Sequence, residues 1–154
     1  MIVLRSLISV VLLPGVAAVL IPWLIVGPPA PPVSGVEWIR LLPLAFGLAI
    51  FAWCVVIFAS RGRGTLAPWD APRRFVAVGP YRRVRNPMYL GVGSVVLGEA
   101  ILSGSVALAV YVAVLALVWH AFIVVWEEPS LERTFGDEYR TYRASVPRWL
   151  PRLP

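Results

Sequence analysis

The chain has 154 residues, 59% hydrophobic and 14% charged, and its mean hydropathy is +0.79. This composition excludes an ordinary water-soluble domain of this length, which must cover its surface with polar groups. The formal net charge is +6 and all 14 basic residues are arginine. Because these arginines flank hydrophobic runs, membrane topology accounts for most of them and we expect no nucleic-acid partner.

The first hydrophobic run, from about Ile2 to Val26, is long enough to cross a bilayer, which takes about 20 apolar residues. Pro14, Gly15 and Pro22 interrupt it. A cleaved signal peptide is the alternative for this run, but its length and the spans that follow favour a retained helix. The proline-rich stretch at 27–35 predicts an extended loop, because proline fixes φ and lacks an amide donor.

The second span is predicted from about Ile39 to Ser60. A polar connection at 61–86 follows and carries seven of the arginines. At its end, Asn86 is a typical N-cap residue and Pro87 a typical first helical residue. A third span therefore begins at Pro87.

The third and fourth spans form a predicted helical hairpin. The third runs to about Leu102, a tight turn follows at 103–105, and the fourth runs from about Val106 to Glu128. Within the third span, Gly91, Ser94 and Gly98 favour close approach of a neighbouring helix, as small residues do in membranes.

After Glu128 the pattern becomes that of an amphipathic helix at the membrane interface. Apolar and aromatic side chains recur at spacings of three and four, at Leu131, Phe135, Tyr139, Tyr142 and Val146. Pro129 is expected to end or bend the preceding helix. The predicted fold is all-α: a polytopic membrane protein with about four transmembrane helices, including the helical hairpin, and a C-terminal amphipathic helix.

The distribution of arginines predicts the orientation. The connection at 61–86 has seven and the tail after Glu128 has five, whereas 27–38 and 103–105 have none. The positive-inside rule therefore places both termini in the cytoplasm. Exclusive use of arginine suits a GC-rich bacterial genome, so we expect a bacterial inner-membrane protein.

Two adjacent carboxylates, Glu127 and Glu128, close the fourth span. A helix C-terminus disfavours negative charge, so this pair requires cationic partners or a cationic ligand. The arginines of 61–86 and Arg133 are the available partners. A binding site and an interfacial salt-bridge cluster that fixes topology both meet this requirement.

Two other ionisable residues, His120 and Glu99, lie within predicted spans. His120 precedes Glu127 by seven residues, which predicts a shared helix face towards the bundle interior; a structural hydrogen bond to a neighbouring helix is the alternative. No second His or Cys lies at ligand spacing, so we expect no metal. Glu99, on the opposite side of the membrane from the arginines, is expected to have a structural or snorkelling role.

Two motifs flank the hairpin: G-P-Y-R-x-x-R-N-P-x-Y at 79–89 and E-E-x-x-L-x-x-x-F-G-x-x-Y-x-x-Y at 127–142. With the hairpin between them, they resemble the isoprenylcysteine carboxyl methyltransferase family, part of a wider group that includes the phospholipid methyltransferases. The resemblance covers 61–151. It implies one membrane methyltransferase domain, with two variable N-terminal spans at 1–60 and a cofactor-binding core at 61–154.

The resemblance implies S-adenosyl-L-methionine as the cofactor, bound without a Rossmann domain. Arginine suits its carboxylate, Glu its ribose hydroxyls or ammonium group, and aromatic rings its adenine and sulfonium. The residues so assigned to cofactor binding are Tyr81, Arg85, Asn86, Pro87, Tyr89, His120, Glu127, Glu128, Tyr139 and Tyr142. Arg133 and Glu128 are the catalytic candidates: Arg133 would hold an anionic substrate group, and Glu128 would serve as the base for an amine acceptor.

The implied partners are the lipid bilayer and a lipophilic methyl acceptor, prenylated or lipid. An isoprenylcysteine-type carboxylate, which needs no general base, is the first expectation, and a phospholipid amine is the alternative. Many isoprenylcysteine enzymes have His-Pro where this chain has Asn86–Pro87. Two other classes remain open: a small four-span transporter that uses Glu99, and a non-catalytic membrane scaffold.

Overall fold

The computed structural model describes residues 11–28, 37–62 and 75–151, and within these ranges the structure is helical, with no β-strand. Its α-helices are α1 (Ile21–Val26), α2 (Leu42–Ile57), α3 (Pro87–Ser103), α4 (Val106–Phe122) and α5 (Glu128–Ser145). A π-helical segment, Val11–Leu20, leads into α1. Shorter 3-10 turns lie at Glu37–Leu41 and Gly79–Arg82, and π-helical turns at Phe58–Gly62 and Ile123–Glu127.

Two helical stretches are long and apolar enough to cross a membrane. They are Trp38–Arg61 and Val106–Ser145, with mean hydropathies of 2.6 and 2.5 in their most apolar stretches. Only 17% and 11% of those stretches are buried inside the protein, so their side chains face outward as they do towards lipid. Pro14–Val26 and Pro87–Ser103 are shorter apolar helices. The chain is an all-α membrane protein.

The helices predicted for the second, third and fourth spans are confirmed, with bounds that agree to within a few residues, although the third, Pro87–Ser103, is one of the shorter apolar helices. Residues 2–10 of the first span, most of the loop at 27–35 and much of the connection at 61–86 lie outside the described residues. Asn86 does occupy the N-cap position of α3, with Pro87 next to it, but its side chain makes no capping hydrogen bond.

Pro129 does not end the helix that contains it. The chain continues from α4 through the π-helical turn Ile123–Glu127 into α5. A π-helical turn interrupts the regular hydrogen-bond ladder just where the missing amide of Pro129 would leave a gap. The amphipathic helix α5 is confirmed, although Gly136 breaks its helical geometry with φ 54° and ψ −125°.

The packing of α2 on α3 depends on glycine. A Cβ added at Gly47 would lie 2.5 Å from the Gly91 carbonyl oxygen, and one added at Gly98 would lie 2.7 Å from Leu44 Cβ. The two backbones therefore touch without intervening side chains. This confirms the close helix approach predicted for Gly91 and Gly98.

A tight turn joins α3 to α4. Gly104 ends α3 in the left-handed conformation, with φ 62°, and the Ser105 hydroxyl accepts a hydrogen bond from the Leu108 amide at 3.2 Å. The helices run in opposite directions from this turn. The start of α3 and the end of α4 consequently lie at the same end of the molecule, where the two motifs meet.

Candidate functional site

A cavity of about 450 Å³ lies among the segment 75–86, the start of α3, the end of α4 and α5. Small-molecule sites in proteins usually have volumes of about 300–1,000 Å³. Most of the lining is aromatic or aliphatic, and its charged members are Arg85, Glu127 and Glu128. Such a cavity suits a largely apolar ligand that carries charges of both signs.

The carboxylate of Glu128 is the centre of a buried charge cluster. Its oxygens accept hydrogen bonds from Arg148 Nε at 2.8 Å and Arg148 Nη2 at 3.0 Å, a bidentate arrangement. The hydrogen bond to Glu128 raises the pKa of Arg148. Arg85 Nη1 also lies 2.9 Å from Glu128 Oε1.

The guanidinium group of Arg85 is only partly satisfied. Its contact with Glu128 is close enough for an ion pair but not aligned as a hydrogen bond, so Arg85 Nε and Nη1 are buried without a hydrogen-bond acceptor among the described residues. A buried donor without an acceptor costs about 1–3 kcal/mol, and more when charged. An anionic ligand in the cavity would remove that cost.

The neighbouring carboxylate, Glu127, points to the other side of the cavity. The Tyr89 hydroxyl donates a hydrogen bond to Glu127 Oε2 at 2.7 Å, which joins the start of α3 to the end of the fourth span. The Tyr89 ring packs edge-on against Trp119, with ring centroids 5.2 Å apart. Carboxylate and aromatic faces together form a surface that attracts cations.

An aromatic wall covers the cavity from the side of α5. The Phe75 ring lies 5.4 Å from Phe135, 5.9 Å from Tyr139 and 5.0 Å from Tyr142, measured between ring centroids. The Tyr142 hydroxyl donates to the Tyr81 carbonyl oxygen at 2.7 Å. Burial raises the pKa of Tyr81, which lies in the 3-10 turn outside the spans.

The residues after α5, 146–151, form a C-terminal strap across the site. The Arg85 amide donates to the Pro147 carbonyl oxygen at 2.9 Å, and Asn86 Nδ2 donates to the Arg148 carbonyl oxygen at 3.2 Å. Farther along, Trp149 Nε1 donates to His120 Nδ1 at 3.1 Å. The strap thereby fixes the motif at 79–89 against α5 and supplies Arg148.

The family model described as phospholipid methyltransferase matches residues 44–138, from within α2 to within α5. The match covers more than half of the chain and includes Arg85, Tyr89 and the Glu127–Glu128 pair. The chain belongs to the phospholipid methyltransferase family. A curated relative from Haemophilus influenzae, described as an uncharacterized protein, is 38% identical over 63 residues, which are 41% of this chain and 100% of that relative.

Membership of the phospholipid methyltransferase family makes this chain a membrane methyltransferase. The structure brings most of the predicted site residues of this family member to one cavity. Those that line it are Tyr81, Arg85, Asn86, Tyr89, Glu127, Glu128, Tyr139 and Tyr142. Within the described part of the chain, no group of three or more His, Cys, Asp or Glu side chains could hold a metal ion.

Three predicted site residues do not line the cavity. Pro87 is buried at the start of α3, and Arg133 is exposed on α5. His120 is exposed too, and its ring bonds Trp149 in the strap. The predicted shared face of His120 and Glu127 presumes regular α-helical geometry, whereas the π-helical turn Ile123–Glu127 alters the register between them.

Other cavity residues were not predicted. Trp119, Phe122, Ile123 and Trp126 line the cavity along one helical face. The spacing of these positions by three and four marks such a face, but in a span where nearly every residue is apolar it does not stand out. Arg148, which contacts Glu128 but does not line the cavity, was not predicted either, because it lies in a proline-rich tail without periodicity.

Proposed function

We propose that this membrane methyltransferase uses S-adenosyl-L-methionine, binds it in the 450 Å³ cavity, and methylates a lipophilic acceptor that enters from the bilayer. One observation carries the proposal. The buried guanidinium of Arg85, with two nitrogens lacking acceptors among the described residues, lines the same cavity as the Glu127 carboxylate and several aromatic rings. This set of groups matches the carboxylate, the cationic groups and the adenine of the cofactor.

The residues present fit the cofactor. The unsatisfied nitrogens of Arg85 suit its carboxylate, through charge-assisted hydrogen bonds. Glu127 suits its ammonium group or ribose hydroxyls, and the aromatic wall of Phe75, Tyr139 and Tyr142 suits adenine. When bound, the cofactor supplies an electrophilic methyl group on sulfur.

The chain's own residues position the reacting groups. Both oxygens of Glu128 accept hydrogen bonds from Arg148, so we assign to Glu128 the positioning of Arg85. Glu127, held by the Tyr89 hydroxyl, is the better placed carboxylate to take a proton from an amine acceptor. Arg133, exposed beside the site on α5, remains our candidate for contacting an anionic headgroup of the acceptor.

The charge of the cavity supports one acceptor class over the other. An isoprenylcysteine-type carboxylate needs no base but would meet repulsion from Glu127. A phospholipid amine, once protonated, is attracted by Glu127 and by the rings of Tyr89 and Trp119, and it needs the base that Glu127 offers. The cavity therefore supports a phospholipid amine better than a prenylated carboxylate, and family membership favours an enzyme over a transporter that uses Glu99.

We further propose a bacterial inner-membrane location with both termini in the cytoplasm, since the arginine-rich connection and tail lie on one side. The cavity lies at the same side, near the start of α3 and the end of α4. A water-soluble cofactor would enter from the cytoplasm. An apolar acceptor would enter laterally, past the aromatic residues of α4.

Cofactor binding is tested by calorimetry on the protein purified in detergent. Wild type is expected to bind S-adenosyl-L-methionine, and Arg85→Ala and Glu127→Gln to weaken binding at least about tenfold, since each removes a charge-assisted contact. Arg140→Gln is the matched control, because Arg140 is exposed and pairs with Asp137 outside the cavity. Absence of wild-type binding, or equal binding by Arg85→Ala and Arg140→Gln, would overturn the proposal.

The acceptor is tested with methyl-labelled cofactor added to membranes that contain wild-type protein. Label is expected in a lipid with a primary or methylated amine headgroup. With the cofactor raised to a saturating concentration, Glu127→Gln should still abolish this labelling, whereas Arg140→Gln should preserve it. Label in prenylated peptide instead would favour the carboxylate acceptor, and binding without any transfer would favour the scaffold.

A further inference from the structure

The segment 79–90 has a second face, turned away from the cavity. Tyr81, Arg85 and Tyr89 line the cavity, whereas Arg82, Arg83 and Leu90 line an open groove of about 700 Å³ between this segment and α2. The first of the two family motifs, at 79–89, therefore contributes side chains both to the cavity and to the open groove. Only one of them is used by the proposed methyl transfer.

The groove combines a cationic end with an apolar wall. Arg82 and Arg83 are exposed at the end of the helices, and no Asp or Glu of the described chain lines the groove with them. The wall comes from α2, a membrane-spanning helix, where Phe46 is 58% and Trp53 is 53% exposed. An anionic lipid has a negatively charged headgroup above apolar acyl chains. The groove is complementary to it, because its positively charged arginines lie above lipid-facing apolar side chains.

Trp53 connects the two parts of the groove. A Cβ added at Gly79 would lie 3.4 Å from Trp53 Nε1, so the indole nitrogen lies level with the 3-10 turn that carries Arg82. Tryptophan is enriched at this depth of a bilayer because its ring is apolar and its N–H can donate to polar lipid groups.

We propose that this groove binds an anionic phospholipid of the surrounding bilayer, with its phosphate on Arg82 and Arg83 and an acyl chain along Phe46 and Trp53. Guanidinium groups bind phosphate by paired, charge-assisted hydrogen bonds, and the apolar wall favours a lipid over a free inorganic anion as the occupant. The site is separate from the catalytic cavity, and it stands whether or not the protein transfers methyl groups to the proposed acceptor.

The test is native mass spectrometry of the protein released from detergent with added phosphatidylglycerol or phosphatidylcholine. Wild type is expected to retain phosphatidylglycerol preferentially. The double variant Arg82→Gln/Arg83→Gln should reduce that preference at least about tenfold, since each arginine near an anionic lipid surface contributes several-fold in affinity.

The matched control is Arg61→Gln/Arg140→Gln, which removes the same charge from exposed positions that do not line the groove. It is expected to keep the wild-type preference. The proposal is overturned if both double variants lose the preference equally, because the effect is then one of net charge. It also fails if soluble glycerol phosphate displaces the lipid at similar concentration, which would indicate an anion site without a lipid groove.

Discussion

Glu128 is a carboxylate with 6% of its surface exposed, and its charge must be compensated locally. Arg148 and Arg85 provide this compensation from two separate parts of the chain. Glu132 on the same helix offers a comparison, because its carboxylate pairs with Arg140 and Arg143. Glu132 is more exposed than Glu128, and its two arginines are more exposed than Arg85 and Arg148 respectively. Exposed pairs contribute about 0–1 kcal/mol, whereas removing one partner of a buried pair costs about 3–5 kcal/mol.

Glu128→Gln is therefore expected to lower the free energy of unfolding by about 3 kcal/mol, because it leaves two guanidinium groups without a countercharge. Glu132→Gln should lower it by less than about 1 kcal/mol. Denaturant titrations of both variants in the same detergent measure the difference. Similar losses in the two variants would show that the Glu128 cluster contributes no more than a surface pair.

The residues that line the cavity or contact its charged groups were not equally predictable from the sequence. Arg85, Tyr89 and Glu127 could be predicted, since polar groups beside long apolar runs are conspicuous and the two motifs are specific. Trp119 could not be predicted as a cavity residue, because its neighbours on α4 are equally apolar. The contact between Arg148 and Glu128 could not be predicted, because the two residues are twenty positions apart with α5 between them. The contact depends on how the strap folds back.

Among the elements, α5 carries the most unusual backbone. Gly136 has φ 54° and ψ −125°, in a region open to glycine alone, whereas Gly104 at the end of α3 has φ 62° and ψ 19°, in the left-handed helical region that asparagine also adopts. A Cβ added at either glycine would have no neighbour within 4 Å. The two positions therefore differ in backbone conformation and not in available space.

Replacing each glycine with asparagine tests this difference in backbone conformation. Gly104→Asn should cost less than about 1 kcal/mol, and Gly136→Asn about 1–3 kcal/mol, because only the latter forces a side chain into a glycine-only conformation. Thermal unfolding in detergent should place the Tm of Gly136→Asn at least about 3 °C below that of Gly104→Asn. Equal Tm values would mean that α5 relaxes at Gly136 at no cost.

The helices themselves were largely predictable, and their interruptions were not. Runs of apolar residues determined the spans around α2, α3 and α4, and the Ser-Gly-Ser turn determined the hairpin. Gly136 falls within an amphipathic pattern that continues on both sides, so periodicity gives no sign of the break. Composition does not predict the π-helical turn Ile123–Glu127 either, although Pro129 lies close to it in the sequence.

For the whole molecule, we propose that the arginine distribution sets the orientation. With both termini in the cytoplasm, a fluorescent protein fused after residue 154 should fold and fluoresce in a bacterial host. Alkaline phosphatase, which is active only outside the cytoplasm, should be active when inserted at Gly104 and inactive when fused after 154. The opposite pair of activities would contradict the proposed orientation and place the cavity on the outer side.

The strap also sets the order in which the site can be assembled during synthesis. Chains are made from the N-terminus, so α3, α4 and α5 exist before Arg148 does. The contact between Asn86 and the strap spans 62 positions, and until it forms, Glu128 lacks its bidentate partner. A chain that stops between Ser145 and Arg148 therefore contains every helix but lacks the bidentate partner of Glu128, so completion of the site depends on a segment synthesised after all of the spans.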